Sequence, residues 1–127
     1  LSQITFISSN NIPFRHIKSN PYIIRGYNDT MILYLLLDKP SYGYEISKQI
    51  KALSNEKYIM KETTLYSAFT RMEKNGYITS FPGVGDNGGK KRTYYSITDA
   101  GREYYKARCE EWALTKEVVE QFIKKEN

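Results

Sequence analysis

The C-terminal end of the chain has the pattern of one long amphipathic helix. Thr98 is a good N-cap, Asp99 and Glu103 would lie near the positive end of the helix dipole, and Lys124 and Lys125 near its negative end. A helix of about 25 residues is roughly 37 Å long, so it extends beyond a domain of this size and something else must cover it. The side chains for this interface recur at alternating spacings of four and three residues, with one charged position at Lys116: Tyr105, Cys109, Trp112, Val119 and Ile123.

Length and composition favour one folded domain with a basic surface. The chain has 127 residues, of which 40% are hydrophobic and 26% charged, so one core can close but a second would lack apolar residues. The formal net charge is +5 and the sequence pI is about 9.2. A basic surface attracts nucleic acid, acidic proteins or anionic lipid, and charge alone does not choose among them.

Cysteine and histidine are too scarce for the common catalytic and metal sites. Cys109 is the only cysteine and His16 the only histidine, which excludes an intramolecular disulfide, the usual zinc sites and Cys/His or Ser/His catalytic pairs. We therefore expect no metal, no cofactor, no enzymatic activity and a location in the reducing cytoplasm. The longest apolar run, Met31 to Leu37, is far shorter than the roughly 20 residues that span a bilayer, so no membrane partner is expected.

These patterns divide the chain into three parts. Residues 1–24 mix Ile and Phe with Ser and Asn and show no signal-peptide pattern, so we interpret them as a peripheral leader or as residues foreign to the native protein. Residues 25–98 would form the domain, and residues 99–127 the C-terminal helix.

Two buried helices are predicted at the start of the domain. Asn28, Asp29 and Thr30 offer capping side chains before the apolar run Met31 to Leu37, which Pro40 separates from the next helix. Ser41 would cap that second helix, whose apolar stripe recurs at helical spacing: Tyr42, Ile46, Ile50 and Leu53.

A third helix is predicted to have one apolar and one polar face. Leu65, Phe69 and Met72 recur at helical spacing with Ala68 beside them, and Asn75-Gly76 would end the helix in a left-handed conformation. The opposite face carries hydroxyl and basic side chains, with a tyrosine at its margin: Thr63, Thr64, Tyr66, Ser67, Thr70, Arg71 and Lys74.

A β-hairpin should follow, with strands at residues 77–82 and 92–97 joined by a glycine-rich loop. Lys90, Lys91 and Arg92 place three positive charges at the base of that loop. Because side chains alternate across a strand, we expect Tyr95 to pack inward and Tyr94 to face outward.

This order of elements defines a fold class that is mainly α, an α+β winged helix-turn-helix with three helices, a two-stranded wing and a long C-terminal dimerisation helix. In such folds the third helix enters the DNA major groove and the hairpin follows the backbone or enters a minor groove. The hydroxyl side chains can approach phosphates and base edges, and Arg71 can present two donors to a phosphate or to guanine. Lys90, Lys91, Arg92 and Tyr94 complete the predicted double-stranded DNA interface.

Other interpretations of these residues stay open. A solvated charge run is the simplest explanation for the basic hairpin, and Tyr66 is as well explained by packing at the helix margin as by DNA contact. A winged helix that binds a protein instead of DNA is the main alternative function, although such a surface usually carries apolar anchors where this third helix is polar.

Several motifs in matching order resemble the PadR family of regulators. They are Arg25-Gly26-Tyr27, Ser41-Tyr42-Gly43-Tyr44-Glu45-Ile46, Thr64-Leu65-Tyr66, Glu73-Lys74-Asn75-Gly76-Tyr77-Ile78 and the stretch from Lys91 to Gly101. The resemblance extends from Arg25 to Ile123 and implies a homodimeric repressor on a palindromic operator, with the short subfamily's single C-terminal helix. It also implies control of detoxification, efflux or phenolic-acid stress genes, and in some members release from DNA by a small aromatic effector.

The sequence departs from the family pattern before the third helix. Lys61-Glu62-Thr63 stands where the family often has Ser-Pro-Gly, so the helix start and the contacts of Thr63 are expected to differ. Trp112 lies where some short members place a tryptophan that forms a slot for flat ligands, although a single tryptophan on such a stripe is more often an interface anchor. Cys109 on the same stripe is expected to pack as a small side chain, close enough to its twin for oxidative cross-linking.

Overall fold

A computed structural model describes residues 21–84 and 89–124, arranged as five α-helices and three β-strands. The helices and strands follow one another in the order α1 Pro21–Ile24, α2 Asn28–Leu35, β1 Ser41–Tyr42, α3 Gly43–Leu53, α4 Glu62–Lys74, β2 Ile78–Val84, β3 Lys91–Ile97 and α5 Asp99–Glu120. A 3₁₀ turn at Arg25–Tyr27 connects α1 to α2. The fold class predicted from the sequence is confirmed, whereas most of the predicted leader lies outside the described residues.

Helix α2 begins earlier than the capping residues suggested. Asn28, Asp29 and Thr30 lie within its first turn rather than before it, so the prediction that they cap a helix starting at Met31 is wrong. The side chain of Asn28 is buried, where its Oδ1 accepts a hydrogen bond of 2.6 Å from the Tyr58 hydroxyl. This long-range partner, which local sequence does not reveal, uses the carboxamide that was expected to cap the helix.

Helix α3 also starts one step away from its predicted cap. Ser41 does not cap it, because Ser41–Tyr42 form strand β1 and pair with Tyr95 and Tyr94 of β3. Ile46 and Ile50 are buried as predicted. Leu53, expected on the same stripe, is 65% exposed, since the helix ends there and the chain turns away from the core.

The core lies between α2, α3, α4 and the inner face of the sheet. Leu65, Ala68, Phe69 and Met72 are buried on one side of α4, as their spacing predicted. The ring of Phe69 stacks on that of Tyr95, with 4.0 Å between centroids. Gly76 follows α4 with φ of +83°, the left-handed conformation expected at the helix end.

The three strands form one antiparallel sheet in the order β1-β3-β2. Ile78 pairs with Ile97 at one end of the hairpin and Val84 with Lys91 at the other. Tyr95 is buried, as predicted, and Tyr94 is half-buried between two other rings. The hairpin tip, residues 85–88, lies outside the described residues.

Helix α5 starts at the predicted cap and leaves the domain along its second half. The Thr98 Oγ1 accepts a 3.0 Å hydrogen bond from the Gly101 amide and donates one of 2.6 Å to the carbonyl of Gly76. Tyr104 stacks on Tyr77 with 4.2 Å between ring centroids, which fixes the first turns of the helix to the hairpin. From Glu110 to Glu120 every residue is exposed. Within residues 21–84 and 89–124, no helix is long and apolar enough to cross a membrane.

Candidate nucleic-acid interface

The polar side of α4 forms a continuous exposed surface. Since Leu65, Ala68, Phe69 and Met72 face the core, the opposite side of the helix points away from it. Thr64 is half-buried, and the other predicted contacts on this helix are exposed: Thr63, Tyr66, Ser67, Thr70, Arg71 and Lys74. The helix begins at Glu62 with Lys61 at the N-cap position and no side-chain cap, so its first amides are left to solvent or to a ligand.

Two of these side chains have packing or hydrogen-bonding roles within the domain. The Tyr66 ring meets Phe69 edge to face at 5.4 Å, and its hydroxyl reaches across to α3, where it would lie 2.3 Å from a Cβ placed at Gly43. Thr70 donates its hydroxyl to the carbonyl of Tyr66 at 3.1 Å. Tyr66 thus joins the two helices of the helix-turn-helix while one edge stays exposed, and Thr70 keeps only its acceptor lone pairs for another partner.

Arg71 is held by an ion pair to α2. Its Nη2 bonds to Oδ1 of Asp29, whose side chain is 14% exposed against 52% for Arg71. A guanidinium has five N–H donors, so this pair leaves most of them for a further acceptor while fixing the direction of the side chain. The sequence did not predict this pair, because the two residues are 42 positions apart.

The hairpin presents two lysines and uses its other predicted residues for support. Lys90 and Lys91 are exposed. The guanidinium of Arg92 lies over the Tyr42 ring, 4.5 Å from its centroid, and Arg92 is half-buried. Tyr94 donates its hydroxyl to the carbonyl of Val84 at 2.9 Å and packs between Tyr42 and Phe81. Contact of Arg92 and Tyr94 with DNA stays a prediction.

A polar cleft next to α4 brings Arg25 and Asn28 close to residues that the sequence predicted to contact DNA. It measures about 390 Å³. Its polar lining comes from the 3₁₀ turn, the start of α2 and one side of α4: Arg25, Asn28, Thr63, Thr64, Ser67 and Arg71. The 3₁₀ turn at Arg25–Tyr27 places Arg25 beside the first turns of α4. The motif containing Arg25 was noted in the sequence, but nothing local to it indicates proximity to a helix about 40 residues away.

The predicted interface stripe on α5 is partly covered near its start and exposed beyond. Tyr105 and Cys109 are half-buried, whereas Trp112, Val119 and Ile123 are 48%, 50% and 61% exposed. Trp112 meets the ring of Tyr27 edge to face at 5.2 Å. Burial and a hydrogen bond with Cys109 raise the pKa of Tyr105 to about 12.

Apolar side chains outside the predicted stripe are also exposed along this helix and just after it. Leu114 and Val118 are 60% and 51% exposed, and Phe122, just past the helix, is 82% exposed. Their spacing of four residues forms a second row, which continues past the helix end and lies on a different side of α5 from Trp112 and Val119. The sequence contains this four-residue spacing, but the alternating four-three pattern does not include it.

The described residues do not provide the ligand cluster of a metal centre. Between residues 21 and 124, apart from 85–88, no group of three or more His, Cys, Asp or Glu side chains is positioned to hold a metal ion. The fold, the polar third helix and the basic hairpin instead define the class of winged helix-turn-helix DNA-binding proteins.

Within that class, the chain belongs to the PadR-like family of transcriptional regulators, whose family model matches residues 32–107. Members of this family bind DNA and are regulators rather than enzymes. The family identified from the sequence motifs is thereby confirmed.

Several known proteins are similar to this chain over most of its length. A transcriptional regulator from Clostridium thermocellum shares 56% identity and a TM-score of 0.76, covering 84% of this chain and 99% of that structure. A PadR family transcription regulator from Clostridium difficile shares 36% identity and a TM-score of 0.67, covering 76% and 98%. An uncharacterised protein of Lysinibacillus sphaericus is 44% identical over 101 residues, which are 80% of this chain and 92% of that protein.

Proposed function

We propose that this chain is a cytoplasmic homodimeric repressor that binds a palindromic operator through α4 and the β2-β3 hairpin. The observation that supports it most is the division of α4 into a buried apolar side and an exposed side that carries hydroxyl and basic residues, with Glu62 and Glu73 near its two ends. Short hydroxyl side chains let a helix lie close to base edges, and Arg71 is already directed by Asp29. Lys90 and Lys91 would neutralise backbone phosphates next to the groove. We infer that the regulated gene serves stress response, efflux or detoxification.

Fluorescence anisotropy with a labelled duplex of the protein's own promoter tests DNA binding. We expect affinity to fall steeply with salt, because each phosphate contact releases counterions. Arg71→Ala should weaken the operator more than an unrelated duplex, by about 1–3 kcal/mol if it contacts a base. Removing Lys90 and Lys91 together should weaken both duplexes alike and flatten the salt dependence. Unchanged binding by both variants would refute these residue assignments, and absence of binding by the parent would refute the function.

We further propose that the exposed apolar face of α5 pairs with a second copy of the chain. Trp112, Leu114, Val118, Val119 and Phe122 are each about half exposed or more. Exposed apolar side chains that recur along one helix indicate a surface that another chain covers. A palindromic operator also needs two recognition helices related by a two-fold axis, which a homodimer provides.

Sedimentation over a range of concentrations tests this pairing. Val119→Asp would place an unpaired carboxylate in the interface and should weaken dimerisation by about 2 kcal/mol or more, which is roughly 30-fold. The matched control is Ala113→Asp, which adds the same charge on the side of α5 that carries Lys106, Glu110 and Glu117, and it should leave the dimer intact. Equal effects of the two variants would place the interface elsewhere.

A small aromatic effector would act at Trp112. The T-shaped contact between Trp112 and Tyr27 leaves 48% of the tryptophan exposed, and a flat ring could stack on that surface. Trp112 is the only tryptophan, so intrinsic fluorescence reports on this position. We expect flat aromatic compounds to quench it and to release the labelled duplex, with the release of DNA lost in Trp112→Ala. Release of DNA without quenching would place the effector site elsewhere.

A further inference from the structure

The cleft between the 3₁₀ turn and α4 has the chemistry of an anion-binding site. Two arginines and three hydroxyl side chains line its 390 Å³, and none of its described lining residues is acidic. Hydroxyl and guanidinium groups are the donors that bind phosphate oxygens in proteins. Because Thr63, Ser67 and Arg71 belong to the exposed side of α4, the cleft opens on the face already assigned to DNA.

The two arginines of the cleft differ in their partners. Arg71 is paired with Asp29, and no ion pair to Arg25 is found in the described part of the chain. Among the lining residues, two guanidinium groups carry positive charge, and Asp29 forms an ion pair with one of them. Arg25 is also exposed, so its charge is available to an approaching anion.

Arg25 has one ring contact, and hydrogen bonds at two neighbouring residues connect its segment to the rest of the domain. Its guanidinium lies over the Tyr22 ring, 5.0 Å from the centroid. On its C-terminal side, the carbonyl of Gly26 accepts a hydrogen bond from Arg108, and Asn28 is bonded to Tyr58. These two hydrogen bonds fix the chain next to Arg25, so the start of its side chain stays beside α4.

We propose that this cleft binds a backbone phosphate of double-stranded DNA, with Arg25 as a DNA-contacting residue outside the helix-turn-helix and the hairpin. The proposal rests on the DNA-binding function proposed above. It extends the interface to the segment that precedes α2 and predicts that each subunit holds one more phosphate than α4 and the hairpin account for.

The test combines Arg25→Ala with duplexes in which a single phosphate is replaced by a neutral methylphosphonate. We expect Arg25→Ala to weaken operator binding about tenfold for each subunit bound, as for a charge-assisted contact. Its salt slope should fall by about 0.9 for each subunit bound. At one phosphate position per half-site, the methylphosphonate should weaken the parent more than the variant, because the variant has already lost the Arg25 part of that contact. Arg25→Lys should keep most of the salt slope while it loses part of the affinity.

Lys106→Ala is the matched control, since it removes one positive charge from an exposed position of α5. It should change neither the salt slope nor the pattern of methylphosphonate effects. If the parent binds the operator and Arg25→Ala weakens it equally at every methylphosphonate position, or not at all, the phosphate contact of Arg25 is refuted while the DNA-binding function stands. If the parent itself does not bind, the proposed function fails first.

Discussion

Apolar side chains are buried in the domain but exposed along the second half of α5. In the domain, Ile32, Ile46 and Phe69 are at most 1% exposed. Along α5 and the turn after it, Leu114 and Phe122 are 60% and 82% exposed. Similar side chains thus form a closed core in one region and an open surface in the other, so only the first region is stabilised by the single chain.

This contrast indicates that folding and association are separate contributions to the stability of the molecule. Burial of apolar area supplies most of the driving force for folding, and the core of the domain supplies it within one chain. The end of α5 gains the same stabilisation only when another surface covers it. The stability of this part should therefore depend on protein concentration, as for any segment that is ordered by association.

The sharpest test of the contrast substitutes one phenylalanine from each region. Phe69→Ala removes a ring that is 1% exposed and stacked on Tyr95, and should lower the free energy of unfolding by about 3–5 kcal/mol. Phe122→Ala should change it by no more than about 0.5 kcal/mol. Both are measured by urea denaturation in the Val119→Asp background, where pairing of α5 does not contribute. Similar losses for the two variants would show that α5 packs on its own domain.

A second pair of substitutions asks how rigidly the first turns of α5 are fixed to the domain. A Cβ at Gly101 would lie 2.1 Å from the carbonyl oxygen of Tyr77, so Gly101→Ala requires the backbone to move and should cost about 1–3 kcal/mol. A Cβ at Gly43 would instead meet the end of the Tyr66 side chain, which is 42% exposed and can rotate away. Gly43→Ala should cost less than about 1 kcal/mol. Thermal unfolding of the two variants distinguishes these cases, and a larger loss for Gly43→Ala would contradict the packing described.

The sequence predicted correctly those structural features that depend on residues close together along the chain. The buried side of α4, with Leu65 and Phe69, follows from helical spacing, and the start of α5 follows from the capping side chain of Thr98. Gly76 takes the left-handed conformation that its residue type allows. Each of these features depends on residues within a turn or two along the chain.

Features that depend on pairing between distant residues could not be predicted. Ser41 looked like a helix cap because its strand partner, Tyr95, is far along the chain. The same limit applies to the candidate site, where Asp29 directs Arg71 and the 3₁₀ turn brings Arg25 to α4. Composition gives the chain a positive net charge. Only the tertiary structure shows that Arg71 is paired with Asp29 and that Arg25 lines the same cleft.

The smallest expected effect concerns Tyr105, at the boundary between the covered and exposed parts of α5. Burial, followed by the hydrogen bond with Cys109, raises the pKa of this phenol to about 12 from an ordinary value of 10.0. The folded chain therefore keeps the proton to higher pH than the unfolded chain does, so the contribution of Tyr105 to stability is complete below pH 10.0 and is lost as the pH rises toward 12. Cys109→Ala should lower this pKa but leave it above 10.0, since burial is the larger cause. Alkaline absorbance titration measures this pKa. Subtracting the titration of a Tyr105→Phe variant, made in the parent and in Cys109→Ala, isolates this phenol among the tyrosines. If Cys109→Ala leaves the difference titration unchanged, the thiol does not contact the phenol.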